Sequence, residues 1–332
     1  QFDGIVFVCS CDKIVPGMLM AACRLDLPSI FVTGGPMLPG CYRGRRIALN
    51  HLYEAISLVK TGKMTLKEFK EMEDSTFPGP GSCAGMYTAN TMQCIVEALG
   101  LTLPYGATIP AVDAARVRLA EQAGRRIVQM VKEQLTARKI VNEKSLENAI
   151  RVDMALGGST NTVLHLTAIA YEAGVSLPLE RFDELSRSTP HLCEMNPAGP
   201  HFMVDLHYAG GIPALLAELS PLIHGECLTV TGKTVAENLK GVRVKNREVI
   251  KPLDAPVHPE GGIAVLKGSL APLGAVVKQS AVRAEMLSFK GEAEVFDGEE
   301  EALKAIFKRP ETLKGKVLVI RYEGPKGGPG MR

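Results

Sequence analysis

The amino-acid sequence predicts an α/β protein whose first domain contains a parallel sheet, and three observations support this prediction. Hydrophobic residues make up 46% of the 332 residues, with 33 glycines and no tryptophan, which is typical of a globular α/β chain. Two short apolar runs, at 4–9 and 28–33, indicate buried parallel strands joined by a helix over 16–25. Helical patterns follow at 45–60, 65–72, 85–99, 113–137, 143–156 and 160–173.

A change in composition near residue 240 predicts a second domain. Prolines and a Gly-Gly pair at 252–262 form a linker-like stretch. Short β-like segments follow at 263–267, 275–278, 293–296 and 316–321, with one strong helix at 299–307. We therefore expect an α/β domain at 1–240 and the start of a β-rich domain at 241–332. Gln1 and the Gly/Pro-rich end suggest that the chain is an internal piece, so that both domains are incomplete.

Charge and cysteine usage exclude several classes of protein. The formal net charge is +2, from 38 basic and 36 acidic residues, and no basic stripe alternates with aromatic residues, so nucleic acid is not expected as a partner. No apolar run is long enough to span a bilayer and no basic region leads into a signal core. Eight dispersed cysteines do not form a disulfide framework. These features predict a reducing, cytoplasmic location.

Two thiols stand where a strand or a glycine-rich turn leads into a helix. Cys11, followed by Asp12 and Lys13, comes directly after the first apolar run, and Cys83 follows the stretch Pro-Gly-Pro-Gly-Ser at 78–82. A helix N-terminus favours a negative ligand and therefore lowers the pKa of a nearby thiol. The pattern predicts one metal or iron–sulfur site that folding assembles from both segments.

Each of these residues also has a simpler interpretation. Cys11 fits an ordinary buried thiol, Lys13 fits a surface lysine paired with Asp12, and Cys83 fits a phosphate-binding loop in which the thiol is incidental. The last is disfavoured because no Gly-Lys-Ser/Thr follows. Cys9 and Cys94 lie within apolar patterns and are predicted to be core residues. The seven histidines show no metal-ligand spacing, which disfavours a histidine-based zinc site.

Two further segments offer polar groups beside glycines. Ser159, Thr160 and Asn161 follow Gly157-Gly158, where they fit helix capping, and their exposed N–H groups also fit a substrate carboxylate. Glu323 ends an apolar strand before a Gly/Pro-rich loop, where it fits either a solvated side chain or a ligand for Mg²⁺.

Ordered motifs run almost the whole length of the chain. They are Cys-Asp-Lys-Ile-Val-Pro-Gly-Met (11–18), Thr-Gly-Gly-Pro-Met (33–37), Gly-Ser-Cys-Ala-Gly-Met-Tyr-Thr-Ala-Asn-Thr-Met (81–92), Ala-Leu-Gly-Gly-Ser-Thr-Asn (155–161), Asp-Leu-His-Tyr-Ala-Gly-Gly-Ile-Pro-Ala (205–214), Leu-Thr-Val-Thr-Gly-Lys-Thr (228–234), Pro-Glu-Gly-Gly-Ile-Ala-Val-Leu-Lys-Gly (259–268) and Arg-Tyr-Glu-Gly-Pro-Lys-Gly-Gly-Pro-Gly-Met (321–331). Together they closely resemble the dihydroxy-acid dehydratase family, which includes phosphogluconate and other sugar-acid dehydratases.

The resemblance implies roles for particular residues. Cys11 and Cys83 match two of the three cysteines that hold the family's iron–sulfur cluster, either [2Fe–2S] or [4Fe–4S]. Asp12 and Glu323 match Mg²⁺ ligands, and Lys13 matches a lysine that is carbamylated in some members. The resemblance also implies an α/β first domain, a β-barrel-like second domain and a homodimer. It places the third cluster cysteine and another acidic metal ligand upstream of Gln1, and the serine that acts as catalytic base downstream of Arg332.

The activity implied is the dehydration of a 2,3-dihydroxy acid to a 2-oxo acid in valine and isoleucine biosynthesis. The implied substrates are 2,3-dihydroxyisovalerate and 2,3-dihydroxy-3-methylvalerate, and the segment at 81–87 resembles the branched-chain members more than the phosphogluconate ones. Two alternatives stay open. One is a dehydratase of an aldonate or phosphogluconate, and the other is an inactive fragment that holds no cluster.

Overall fold

The structure is a computed structural model, and it describes residues 2–324. Helices and short strands are mixed in it, which confirms the α/β class at this coarse level. The strands are β1 (Ile5–Cys9), β2 (Ser29–Thr33), β3 (Gly40–Tyr42), β4 (Arg45–Ile47), β5 (Ala264–Leu266), β6 (Ala275–Val277), β7 (Ala293–Phe296) and β8 (Val317–Ile320). The helices are α1 (Ile14–Leu25), α2 (Leu49–Lys60), α3 (Leu66–Thr76), α4 (Thr88–Ala98), α5 (Ala114–Glu133), α6 (Ala137–Ile140), α7 (Glu143–Leu156), α8 (Asn161–Ala173), α9 (Leu179–Arg187), α10 (Met203–Tyr208), α11 (Gly211–Glu218), α12 (Val235–Asn238), α13 (Glu299–Lys308) and α14 (Pro310–Leu313).

The first two strands and α1 form the predicted βαβ unit. β1 and β2 are parallel, with Phe7 opposite Phe31, and the two rings stack with their centroids 4.8 Å apart. The N–H of Phe31 donates to the carbonyl of Leu101 at 2.8 Å, which adds a short third segment beside β2. Because parallel strands end at the same edge, the segments that follow Cys9 and Thr33 leave this sheet side by side.

The helix predicted over 45–60 begins later than expected. Its first part is instead β4, which pairs antiparallel with β3. Arg43 and Gly44 connect these strands, and their φ angles of 50° and 78° are both positive, as the commonest two-residue hairpin turn requires. The helical prediction for 45–47 is therefore wrong, because the turn pairs these residues with the preceding strand.

Two other predicted helices differ at their ends. The one predicted over 113–137 stops at Glu133, because Gln134 adopts a left-handed conformation (φ 50°) that caps α5. The one predicted over 85–99 begins only at Thr88. The N–H of Met86 donates to the carbonyl of Asn196 at 2.6 Å, so tertiary contacts hold 85–87 in a loop.

The chain divides into two compact units at Ala281/Val282. The first contains a large apolar core in which Cys9 and Cys94 are buried, as predicted. Residues beyond 240 contribute to it, since Val249 and Ile263 belong to the same core. The domain boundary expected at residue 240 stays a prediction. All eight cysteines are free thiols. None of the helices within 2–324 is long and apolar enough to cross a membrane.

The second unit has its own small core, formed by Phe296, Ala302, Ala305 and Leu313. β7 and β8 pair in parallel, and α13 lies between them in sequence, where the sequence predicts its one strong helix. Every sheet within 2–324 has two strands, so the described residues contain no closed barrel. Residues 325–332, with Arg332 and the end of the last motif, lie outside the described part of the chain, as does Gln1.

A buried arginine joins the end of β2 to the loop that follows Leu101. Arg116, on α5, donates from Nη1 to the carbonyls of Thr33 at 2.9 Å and Gly106 at 2.6 Å, and from Nη2 to that of Ile109. Burial lowers the pKa of Arg116 to about 10, although the charge of Glu97 opposes this shift.

Replacing Arg116 with methionine is expected to lower the free energy of unfolding by about 3–5 kcal/mol, because it removes three charge-assisted hydrogen bonds to buried carbonyls. Denaturant titration measures the change. Arg118→Met, at an exposed position of the same helix, is the control and should change stability by less than about 0.5 kcal/mol. Equal losses in the two variants would contradict the assigned role of Arg116.

Glu97 predicts a pH dependence of stability. Burial raises the pKa of this carboxyl from 4.5 to about 7, although its oxygens accept the N–H groups of Tyr105 at 2.6 Å and Ala107 at 2.9 Å. Between those two pH values the unfolded chain has released this proton and the folded chain has kept it. The contribution of Glu97 to stability therefore falls as the pH rises from about 4.5 to about 7.

The native protein should lose stability relative to Glu97→Gln as the pH rises from about 4.5 to about 7. Denaturant titration of both proteins at several pH values measures this difference. Glu147→Gln is a control of opposite sign. Burial raises the pKa of Glu147, but hydrogen bonds from His224 and Arg181 outweigh burial and lower it. The native protein should therefore exceed Glu147→Gln in stability by the full amount above the pKa of this carboxyl in the unfolded chain. This difference in stability should be lost as the pH falls. A Glu97 difference that is independent of pH would contradict the prediction.

Candidate functional site

The segment after β1 carries the first candidate residues. Cys11 is exposed and has a φ of 81°, a left-handed conformation that is uncommon for a residue with a Cβ. Its Sγ lies 3.6 Å from Oδ1 of Asp12, and Nζ of Lys13 lies 3.4 Å from Oδ2 of the same carboxylate. α1 begins at the next residue. The three side chains therefore lie together at the carboxyl end of β1, beside a helix N-terminus.

Cys83 lies in a loop that buried amide side chains hold in place. Nδ2 of Asn90 donates to the carbonyls of Cys83 and Gly85, and its Oδ1 lies 2.6 Å from Oγ of Ser82. Gln93 donates to the same Oγ at 2.8 Å and accepts the N–H of Gly35 at 2.7 Å. Asn90 and Gln93 are fully buried on α4. The network fixes the loop of Cys83 against the loop that follows β2.

The electrostatics connect Cys83 to the Cys11 segment. Burial is the main cause that raises the pKa of Cys83, and the charges of Cys11 and Asp12 raise it further. The Cys83 thiol thus lies within electrostatic range of Cys11 and Asp12. The expectation that a helix N-terminus lowers this pKa is wrong for Cys83, because α4 begins only at Thr88 and burial dominates.

The turn after α7 lies close to the start of α4. Gly157 ends α7 with a φ of 57°, and Oγ of Ser159 lies 2.8 Å from Oγ1 of Thr88. The N–H and Nδ2 of Asn161 donate to Ser159 Oγ at 3.2 Å and 3.1 Å. Thr160 precedes α8 without a side-chain cap, so Ser159 does the capping. Oδ1 of Asn161 is buried and has no partner among the described residues.

His165 is a buried histidine within electrostatic range of Asp12 and Lys13 that the sequence does not single out. It lies on α8 and is 7% exposed, and its Nε2 is buried without a partner among residues 2–324. Burial lowers the pKa of His165 to about 4, the charge of Lys13 lowers it further, and that of Asp12 opposes the shift. In the sequence, this residue is a single histidine within an apolar helical pattern. A search for histidines at metal-ligand spacing does not detect it.

Glu323 belongs to the second unit. Its carboxylate is exposed, and Oε1 accepts the N–H of Glu299 at 3.2 Å at the start of α13.

The donor chemistry of the first unit suits the expected groups. Thiolate sulfur is the preferred ligand of iron in clusters, and carboxylate oxygen suits Mg²⁺. Cys11 and Cys83 supply the first kind of donor and Asp12 the second. Within the described range there is no group of three or more His, Cys, Asp or Glu residues that could hold a metal ion.

Comparison with known proteins decides the family. Residues 1–238 match the model for the N-terminal region of dihydroxy-acid/6-phosphogluconate dehydratases, and 248–332 match the model for the C-terminal region. The chain belongs to this family. The boundary between the two models thus falls in a different place from the division at Ala281/Val282.

Several curated relatives carry the name dihydroxy-acid dehydratase. The protein of Ignicoccus hospitalis is 58% identical over all of this chain, that of Methanosarcina barkeri 56% over all of it, and that of Methanothermobacter thermautotrophicus 54% over 99% of it. The chain spans 60–61% of the length of these relatives. Family membership thus rests on similarity across the whole of this chain, including both thiol segments.

Proposed function

We propose that this chain acts, within a protein of its relatives' length, as a hydro-lyase that dehydrates a 2,3-dihydroxy acid to the 2-oxo acid. The observation that carries the proposal is the placement of Cys11, Asp12 and Lys13 together at the carboxyl end of β1, in a chain that matches both family models. The substrates are 2,3-dihydroxyisovalerate and 2,3-dihydroxy-3-methylvalerate of branched-chain amino-acid synthesis. The names of the relatives support this choice over a sugar acid.

Cys11 and Cys83 would hold an iron–sulfur cluster with a third cysteine from outside the chain. Asp12, carbamylated Lys13 and Glu323 would hold Mg²⁺. When bound, the cluster supplies a Lewis acid for the leaving 3-hydroxyl, and Mg²⁺ stabilises the negative charge that develops as the α-proton is lost. We assign the base to a serine downstream of Arg332, and the second domain to a β-barrel-like fold. The homodimer and the cytoplasmic location stay predictions.

The chain's own residues would bind and orient the substrate beside these groups. Gly158 and Asn161 already donate their N–H groups within the turn, so the candidate donors to the substrate carboxylate are the N–H groups of Ser159 and Thr160. Burial favours the neutral imidazole at His165, so this side chain adds no positive charge beside Lys13.

Turnover by the full-length protein tests this function. We expect 2-oxo acid from 2,3-dihydroxyisovalerate and little from gluconate or 6-phosphogluconate, with the Ignicoccus hospitalis relative assayed in parallel. Preference for a sugar acid would overturn the substrate assignment. Absence of any dehydration by iron-loaded full-length protein would overturn the function. Iron and sulfide analysis of the 332-residue chain tests separately whether it holds a cluster by itself, as an inactive fragment would not.

A further inference from the structure

A fully buried carboxylate lies directly beneath the turn that carries Ser159, Thr160 and Asn161. Asp153, on α7, is 0% exposed. Its Oδ2 accepts a hydrogen bond from Oγ1 of Thr162, and its backbone carbonyl accepts the N–H of Gly158 at 3.0 Å. Asp153 therefore contacts Gly158 within the turn 157–161 and Thr162 directly after it.

Close packing leaves the turn no room to shift towards this carboxylate. A Cβ at Gly158 would overlap Oδ1 of Asp153 and lie 2.7 Å from Cγ2 of Thr91. Oγ1 of Thr162 also lies 2.7 Å from the carbonyl of Ser159. A single hydroxyl thus links the carboxylate to the backbone of the turn.

A lysine from a distant part of the sequence supplies the complementary charge. Residues 278–280 lie against the end of α7, since Ser280 donates its N–H to Gly262 at 3.2 Å and Gly262 donates to Met154 at 2.9 Å. Burial raises the pKa of Asp153 to about 7 and lowers the pKa of Lys278, and the attraction between their charges opposes both shifts.

We propose that Asp153 is a positioning residue that fixes the turn 157–161 through Thr162 and Gly158, with Lys278 as its counter-charge. Lys278 lies in the region matched by the C-terminal family model and Asp153 in that matched by the N-terminal one, so both regions shape one turn. The kinetic consequence rests on the proposed function, because it requires that the turn bind the substrate carboxylate.

Two kinds of variant separate positioning from general stability. Thr162→Val removes the linking hydroxyl and keeps the side-chain shape, whereas Thr162→Ser keeps the hydroxyl. Asp153→Asn keeps the shape and removes the charge. Glu147→Gln is the matched control, because Glu147 is a buried, hydrogen-bonded carboxylate of the same helix that pairs with Arg181 and His224 instead of the turn.

In the holoenzyme, we expect Thr162→Val and Asp153→Asn to raise KM for 2,3-dihydroxyisovalerate about tenfold, because each change removes one buried hydrogen bond. The values of kcat and the iron content should stay nearly unchanged. Thr162→Ser should restore the native KM. Amide hydrogen exchange within 157–162 should be about tenfold faster in Thr162→Val and Asp153→Asn, and unchanged in Thr162→Ser and Glu147→Gln.

Lys278→Met should raise KM in the native background and have no further effect in Asp153→Asn, if it acts through Asp153. If Lys278→Met raised KM by the same factor in the native and the Asp153→Asn backgrounds, the role of Lys278 would be overturned. The role of Asp153 would be overturned if Thr162→Val kept both the native KM and the native rate of amide exchange. It would also be overturned if Glu147→Gln raised KM and accelerated exchange as Thr162→Val does. If the native enzyme dehydrates no dihydroxy acid, the proposed function fails, and the exchange measurement by itself decides whether Asp153 fixes the turn.

Discussion

Replacing Cys83 with serine is expected to abolish iron binding and dehydratase activity together in the full-length enzyme. The two side chains have nearly the same shape, and the loop is held by hydrogen bonds that do not involve the thiol, from Asn90 to the carbonyls of Cys83 and Gly85. The loop should therefore survive the change. What is lost is the soft thiolate ligand, which a serine hydroxyl does not replace for iron.

The measurements are iron and sulfide content, visible absorbance and turnover of 2,3-dihydroxyisovalerate. Cys41→Ser is the control, because Cys41 is an exposed free thiol on β3 and should keep both cluster and activity. Activity that persists in Cys83→Ser after the cluster is gone would refute the assignment of Cys83 and the chemistry built on it.

Replacing Lys13 with arginine is expected to lower kcat by at least about a hundredfold, although the positive charge beside Asp12 is kept. Guanidinium does not form a carbamate and offers Mg²⁺ no oxygen, so a ligand worth several kcal/mol of transition-state stabilisation is lost. Nζ of Lys13 lies 3.4 Å from Oδ2 of Asp12, a contact that arginine can also make. A simple ion pair would therefore tolerate the change.

Mg²⁺ affinity by calorimetry and NMR after equilibration with isotope-labelled bicarbonate test the carbamate directly. The native enzyme should show a carbamate signal that Lys13→Arg lacks. Lys63→Arg, at an exposed position outside the site, should retain the signal and the activity. Native turnover by Lys13→Arg would mean that the Lys13 amine is not converted into a carbamate that binds the metal.

The first strands and the thiol segments could be predicted from the sequence because their signals are local. Apolar runs at 4–9 and 28–33 correspond closely to β1 and β2, and strand ends then locate Cys11. The same local reasoning failed at 45–47, where residues predicted to be helical instead pair with β3 in a hairpin. Positive φ angles at Arg43 and Gly44 allow a pairing that periodicity does not reveal.

Asn90, Gln93 and Asp153 could not be recognised from the sequence. Each lies inside a helical pattern and has partners far along the chain or across a turn, so its role exists only after folding. The pKa of Cys83 shows the same limit. Its neighbours in sequence suggest a helix N-terminus, but burial, which depends on tertiary packing, sets the direction of the shift.

The left-handed backbone at Cys11 implies a compromise between stability and activity. Glycine would adopt a φ of 81° without steric cost, whereas a residue with a Cβ pays about 1 kcal/mol there. At this one position, the residue best suited to the backbone is the one that carries no thiol. A search for more stable variants would therefore select Cys11→Gly, and would remove a proposed cluster ligand in doing so.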